Sequence, residues 1–233
     1  MNIILSGGGI GEKSKMAYLE FAKQLNNGKV LLIPFANENK NYECDLTWFI
    51  NEMKDYKVAE IDMAVSPEQI TDEFLQGFDG IYFEGGNTFL LLHLLKSCQA
   101  FNVIKKFLQS DKVVMGGSAG ALIFGKSIET ILKDDLNIIA SDENIVGIKD
   151  FEGFNVLNGY SLFVHYRVKE RQYAATEEKV QRLLKNGFKL ICVPEEDSII
   201  VRDNKVSLIG CVPAEVLTSD ARDQIFDGEI LKI

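Results

Sequence analysis

The chain has 233 residues, 46% of them hydrophobic, and carries a net charge of −9. That length can bury a substantial core, and the acidic balance opposes a nucleic-acid partner, which needs a basic face against phosphate. No apolar run approaches the ~18 residues needed to span a bilayer, so no membrane partner is expected and a soluble, cytoplasmic protein is.

Residues 2–6 read as a short buried strand ending in glycines rather than as a secretory leader. Residues 14–25 show helical spacing of Met16, Leu19, Phe21, Ala22 and Leu25. A second strand is expected over 30–34, a helix over 45–53 and a third strand over 58–61. Ser66-Pro67-Glu68-Gln69 then combines an N-cap serine, a proline at the first helical position and a glutamine three residues after the serine, which predicts a helix start. A strand over 80–84, helices over 89–96 and 103–108 and a strand over 113–115 follow. The stretch 128–159 reads as loops with short strands. From residue 190 onward, short strands over 190–193, 198–202 and 206–209 are joined by turns such as Arg202-Asp203-Asn204-Lys205, predicting an antiparallel extension. Strands that are apolar throughout and separated by helices predict an α/β fold: a mostly parallel sheet with helices on both faces. No repeat or linker divides the chain, so one domain over 1–233 is expected. The four cysteines, Cys44, Cys98, Cys192 and Cys211, lie far apart with no C-x-x-C pair, and reduced, buried thiols are expected.

The segment richest in chemistry is 113–121. An apolar strand runs into Gly116-Gly117-Ser118-Ala119-Gly120, and a helix can begin at Ala121. Such a turn lifts a serine hydroxyl above the sheet edge and aims the N–H groups of a helix start at developing negative charge. Gly120 to Ser127 also fits the P-loop pattern G-x-x-x-x-G-K-[ST] letter for letter. That reading needs Ala121 to Phe124 as a loop, whereas the apolar run suits a helix packing on a core. Glu84-Gly85-Gly86-Asn87-Thr88 lies at the carboxyl end of a strand, where sites in parallel sheets form. Its glycines allow a backbone N–H to face an oxyanion beside that of Ala119, and Asn87 or Thr88 can cap the next helix.

A serine nucleophile needs a base that titrates near neutrality. His93 sits inside the apolar run 90–95 and reads as a packed helix residue. His165 sits where a short apolar strand gives way to charged sequence, and by elimination is the base. Its orienting acid is sought among Glu195, Glu196 and Asp197, which follow the strand ending near Pro194. Neither histidine lies in a metal-binding motif, so no metal is expected, and no cofactor.

Taken together, Glu84-Gly85-Gly86-Asn87-Thr88, Gly117-Ser118-Ala119-Gly120-Ala121, His165-Tyr166 and Val193-Pro194-Glu195 resemble peptidase family S51, which contains α-aspartyl dipeptidases and cyanophycinases. The resemblance covers roughly residues 2–217. It implies a flavodoxin-like, three-layer fold like that of class I glutamine amidotransferases. It also implies a Ser-His-Glu triad of Ser118, His165 and Glu195, with Gly86 and Ala119 supplying oxyanion N–H groups. The implied reaction is hydrolysis after an N-terminal aspartate through an acyl-enzyme, with a small peptide as substrate and a homodimer as one assembly. Two positions depart from the family pattern: Phe163-Val164 stands where a polar residue and a proline often precede the histidine, and Gly117 where a larger residue precedes the serine. An aspartate side chain needs a cationic partner, for which Arg167 and Arg171 are the candidates, with Asn87 at the substrate as well. A related hydrolase on another small or β-aspartyl substrate, and a silent binding protein of the same fold, are the alternatives.

Overall fold

The computed structural model describes residues 1–203 and 205–231. Twelve strands are described: β1 (Asn2–Ser6), β2 (Lys29–Ile33), β3 (Glu60–Met63), β4 (Gly80–Phe83), β5 (Val113–Gly117), β6 (Ser161–Phe163), β7 (Leu190–Cys192), β8 (Ser198–Arg202), β9 (Lys205–Ile209), β10 (Ala214–Leu217), β11 (Arg222–Ile225) and β12 (Ile230–Leu231). The helices are α1 (Lys15–Lys23), α2 (Tyr42–Met53), α3 (Asp72–Gln76), α4 (Thr88–Lys96), α5 (Ala100–Phe107), α6 (Ala119–Leu122) and α7 (Tyr173–Lys185). The main sheet runs in the order β12-β9-β8-β1-β5-β4-β2-β3, and a smaller sheet in the order β11-β10-β7-β6.

Strands β1, β5, β4, β2 and β3 pair in parallel. They are apolar on both pleat faces because both faces are covered. Ile3, Leu5, Leu31, Ile33, Ile81 and Phe83 point into one core with α3 to α6, while Ile4, Val30, Leu32, Tyr82 and Met115 point into another with α1 and α2. This is the three-layer arrangement that the resemblance implies. The antiparallel extension also forms, as β8, β9 and β12 on the β1 edge. β7 does not join it. It pairs in parallel with β6 instead, and the face of this small sheet that carries Phe163 and Leu190 packs on Val180, Leu183 and Leu184 of α7.

Three local expectations are corrected. The helix start at Ser66 produces only one 3-10 turn, Pro67–Gln69, because Ile70 turns inward with an extended ψ of 91° and is 2% exposed. α3 begins instead behind Thr71, whose hydroxyl caps Phe74 N at 3.1 Å. The third strand lies two residues later than 58–61, its register fixed by the pairing of Lys29 with Glu60. Of the cysteines, only Cys192 is buried; all four are free thiols, with Cys44 and Cys211 exposed.

Sheet register positions the chemistry. Ser6 lies opposite Gly117 and Phe83 opposite Gly116, so the segments leaving β1, β4 and β5 emerge side by side at one edge. Phe163 lies opposite Cys192, so residues just past β6 and β7 emerge together as well. No helix among the described residues is long and apolar enough to cross a membrane.

Candidate active site

Ser118 stands between β5 and α6 with φ 51° and ψ −113°, a backbone conformation that costs an L-residue energy. Its surroundings leave no alternative path. A Cβ at Gly116 would lie 2.2 Å from the Gly120 carbonyl oxygen, and one at Gly120 would lie 2.1 Å from that of Phe83. Strand, turn and helix therefore touch backbone to backbone. Ser118 N donates to Ser6 O at 3.4 Å, and Ala121 N and Leu122 N donate back to Ser118 O at 2.9 and 3.0 Å. Ala121, Leu122, Ile123 and Phe124 are buried, so the P-loop reading fails: these residues are core, not a phosphate cradle.

His165 follows β6, also at positive φ (51°), and its N–H donates to Gly7 O at 2.9 Å while Tyr166 N donates to Val193 O at 3.2 Å. The residue is thus pinned between the loop after β1 and the end of β7. A Cβ at Gly8, where φ is 101°, would fall 2.3 Å from the imidazole Cε1. Only glycine lets that loop lie against the ring.

His165 Nε2 is 2.9 Å from Ser118 Oγ, and His165 Nδ1 is 2.8 Å from Glu195 Oε1. A carboxylate only accepts, so Nδ1 carries the proton and Nε2 is left to accept the serine hydroxyl. It is Glu195 that meets the ring. Glu196 reaches Lys13 Nζ at 2.8 Å, and Asp197 Oδ1 accepts from Cys211 N and Val212 N at 2.7 and 3.1 Å. Burial by itself would raise the Glu195 carboxyl, but the hydrogen bonds from Lys13 and His165 outweigh it and hold the group below the usual carboxylate range. His93 lies half-buried in α4, outside this arrangement.

The turn after β4 lies beside the serine: a Cβ at Gly85 would be 3.3 Å from Ser118 Cβ. At Gly86, φ is 136°, and a Cβ would meet the Ala36 carbonyl at 2.4 Å. Ala119 opens α6, where no preceding turn exists to accept its N–H. Asn87 is 4% exposed and its amide is fully engaged. Oδ1 caps Leu90 N at 3.0 Å, and Nδ2 donates to Glu38 Oε1 and Glu143 O, both at 2.9 Å.

A cavity of about 300 Å³ adjoins this turn, bounded by Gly85, Gly86 and Asn87 and by four acidic residues, Glu38, Asp45, Glu84 and Asp142. Burial, reinforced by Asp45, pushes the Glu84 carboxyl up to about 8, and its Oε2 is shielded from solvent with no hydrogen-bond partner among the described residues. Burial likewise raises Asp142, against the two bonds it accepts from Thr88 N and Oγ1 at 2.8 and 2.7 Å. A larger depression of about 810 Å³, lined by Leu19, Lys23, Asn27, Tyr56 and Lys57 among others, sits before β2 and β3. That is the amino end of the sheet, opposite the serine, and sites in such sheets lie at the carboxyl end.

The two arginines lie apart from the acidic cavity. Arg167 pairs with Glu215 (2.9 Å) and lies over the Tyr166 ring at 4.9 Å, while Arg171 is exposed in the short 3-10 turn Glu170–Gln172. Residues not singled out in the sequence are Gly8, Lys13, Glu38, Asp45 and Asp142. The three glycines directly after β1, at the carboxyl end of a strand, were a readable signal for the first. Asp45 and Asp142 carry none, because the segments that hold them meet only in three dimensions. Among the described residues no group of three or more His, Cys, Asp and Glu side chains is arranged to hold a metal ion.

Comparison with known proteins supplies the family. Residues 3–209 match peptidase family S51. The Peptidase E of Shewanella denitrificans is 29% identical over 187 residues, covering 78% of this chain and 74% of its own. That of Shewanella putrefaciens is 25% identical over 234 residues, covering 96% and 93%. A solved peptidase structure from an acI-B1 Actinobacterium shares the fold, with a TM-score of 0.73 at 18% identity over 100% of this chain and 96% of its own. The chain therefore belongs to peptidase family S51 and is a serine peptidase.

Proposed function

We propose that this peptidase hydrolyses short peptides through an acyl-enzyme on Ser118. The observation that carries the reading is the hydrogen-bond chain from Ser118 Oγ through His165 to Glu195. His165 Nε2 takes the hydroxyl proton as Oγ attacks the scissile carbonyl. The N–H groups of Gly86 and Ala119 receive the oxyanion, and His165 returns the proton to the leaving amine. Water, deprotonated by the same imidazole, then releases the acyl group. Glu195 stays ionised throughout, fixing the tautomer and stabilising the imidazolium.

For the acyl residue, the family resemblance points to an N-terminal aspartate read by Arg167 or Arg171. The acidic cavity favours a second reading. An ionised aspartate side chain placed there would face Glu38, Asp45 and Asp142 beside the raised carboxyl of Glu84, whereas a cation would be complementary and would favour ionisation of Glu84. Arg167 is already engaged by Glu215. On this reading the cavity receives positive charge at the acyl residue: the free α-ammonium group of the peptide or a basic side chain.

A panel of p-nitroanilides tests both readings: aspartyl, alanyl, lysyl, and Nα-acetyl-lysyl. Ser118→Ala should lower kcat by about 10⁶-fold for whichever compound turns over. Preference for aspartyl supports the first reading. Preference for lysyl over alanyl supports a basic side-chain pocket, and loss of turnover on Nα-acetylation assigns the cavity to the α-ammonium. No turnover of any of them by folded wild type overturns the short-peptide substrate class.

A further inference from the structure

The hydrogen-bond chain does not end at the glutamate. Glu195 has two carboxylate oxygens, and while Oε1 meets the imidazole, Oε2 accepts from Lys13 Nζ at 2.8 Å. The same ammonium reaches Glu196 Oε1 at 2.8 Å. We infer that Lys13 is a positioning residue of the hydrolytic site, holding the Glu195 carboxylate ionised and in the plane that faces His165. This rests on the proposed Ser118 chemistry.

The loop that carries Lys13 is also tied to the glutamate through its backbone. Gly9 N donates to Glu195 O at 3.2 Å, and Ser14 Oγ donates to Gly9 O, so the backbone of the acid and that of the lysine move together. A Cβ at Gly9 would lie 2.4 Å from Glu195 O and 2.6 Å from Lys13 Cβ, which keeps this junction closed to any larger residue. Without the ammonium, Glu195 and Glu196 would be adjacent carboxylates with no shared counter-charge. Glu195 would then be harder to ionise, and its second oxygen free to rotate off the ring.

The charge has a further effect on the base. The groups around His165 are Glu195 from the segment after β7, Asp142 from the loop segment before β6, the uncharged Gly7, Gly8 and Ser118 from the turns after β1 and β5, and Arg167 on its own segment, tied to Glu215. Lys13 offsets part of the negative charge that Glu195 and Glu196 set beside the ring.

The test needs no knowledge of the substrate. The rate of Ser118 labelling by a fluorophosphonate is measured against pH in the full chain for wild type, Lys13→Met and Lys13→Arg, with melting temperatures alongside. Lys13→Met should label roughly 10-fold more slowly at neutral pH, as expected for a loosened general base. Its acidic limb should move up, because Glu195 without the ammonium holds its proton to higher pH. Lys13→Arg should recover both. Wild-type rate and limb in Lys13→Met would overturn the inference. So would slower labelling with an unmoved limb and no rescue by arginine, which would make Lys13 a loop staple only. Wild type that does not label at Ser118 would sink the hydrolase reading with it, whereas wild type that labels beside indifferent Lys13 variants sinks this inference alone.

Discussion

Gly120→Ala tests whether the serine turn is set by backbone contact. The substitution should help α6 locally, because alanine is favoured over glycine in a helix by about 1 kcal/mol. Against that, the new Cβ would sit 2.1 Å from Phe83 O and 2.6 Å from Phe83 C. Ordinary contact starts above 3 Å, so about 1 Å must come from moving β4 away from α6. Both partners are main chain in the sheet core, and overpacking of this kind costs about 1–3 kcal/mol or more. The clash wins, and the net loss should lower the melting temperature by a few degrees, at roughly 2–4 °C per kcal/mol for a chain of this size. Activity should fall further than stability. β4 leads directly into Glu84-Gly85-Gly86, and a displacement of about 1 Å between that turn and Ser118 is worth about 10²-fold in rate. Gly77→Ala is the control, since its φ is −69° and its nearest neighbour to a new Cβ is 3.6 Å away. Calorimetry and fluorophosphonate labelling read the two effects. A Gly120→Ala protein that melts no lower than Gly77→Ala and labels at the wild-type rate would refute the reasoning.

Three more outcomes follow from the same geometry. Glu195→Gln keeps the shape but removes the ionised acceptor, so kcat should drop by about 10²–10⁴-fold with folding retained, measured by labelling and circular dichroism. The raised Glu84 carboxyl gives stability a pH slope. Its folded value of about 8 exceeds the ordinary 4.5, so the folded chain keeps a proton that the unfolded chain releases, and stability falls as pH rises through that window. Glu84→Gln should therefore melt above wild type at pH 8 and level with it near pH 4.5. Asp197→Ala strips the acceptor from Cys211 N and Val212 N beneath the Glu195 segment. It should cost about 1–3 kcal/mol, read as a lower melting temperature.

Continuous apolar runs made the parallel core legible, because a strand buried on both faces has no polar alternation to hide it. The serine turn was legible for a related reason: glycines on both sides of Ser118 are demanded by backbone contacts that no larger residue survives. His165 followed from scarcity. Which carboxylate meets it did not, since Glu195, Glu196 and Asp197 are adjacent in the chain and differ only in where a β7 exit points them. Assignment of β7 to a second sheet was hidden for the same reason, as it depends on β6 and β10 rather than on its own residues. α7 was missed because Val180, Leu183 and Leu184 form a thin apolar stripe on a charged helix. The acidic cavity gathers Glu38, Asp45, Glu84 and Asp142 from four segments, and no local pattern connects them.

The position of β1 has a consequence for how the enzyme comes into being. This first strand pairs with β5 on one side and with β8 on the other, and the glycines that follow it hold both His165 and the Glu195 backbone. During synthesis, a chain that has emerged only as far as α6 carries Ser118 but neither His165 nor Glu195. Ile3 must wait for Val201, nearly two hundred residues later, before the edge of the sheet closes. Such long-range pairing forms late, since its chain closure comes before any reward. On the proposed mechanism a partly made chain thus carries an inert serine, and hydrolytic competence arrives only when the last third of the sequence docks against the first five residues of sheet.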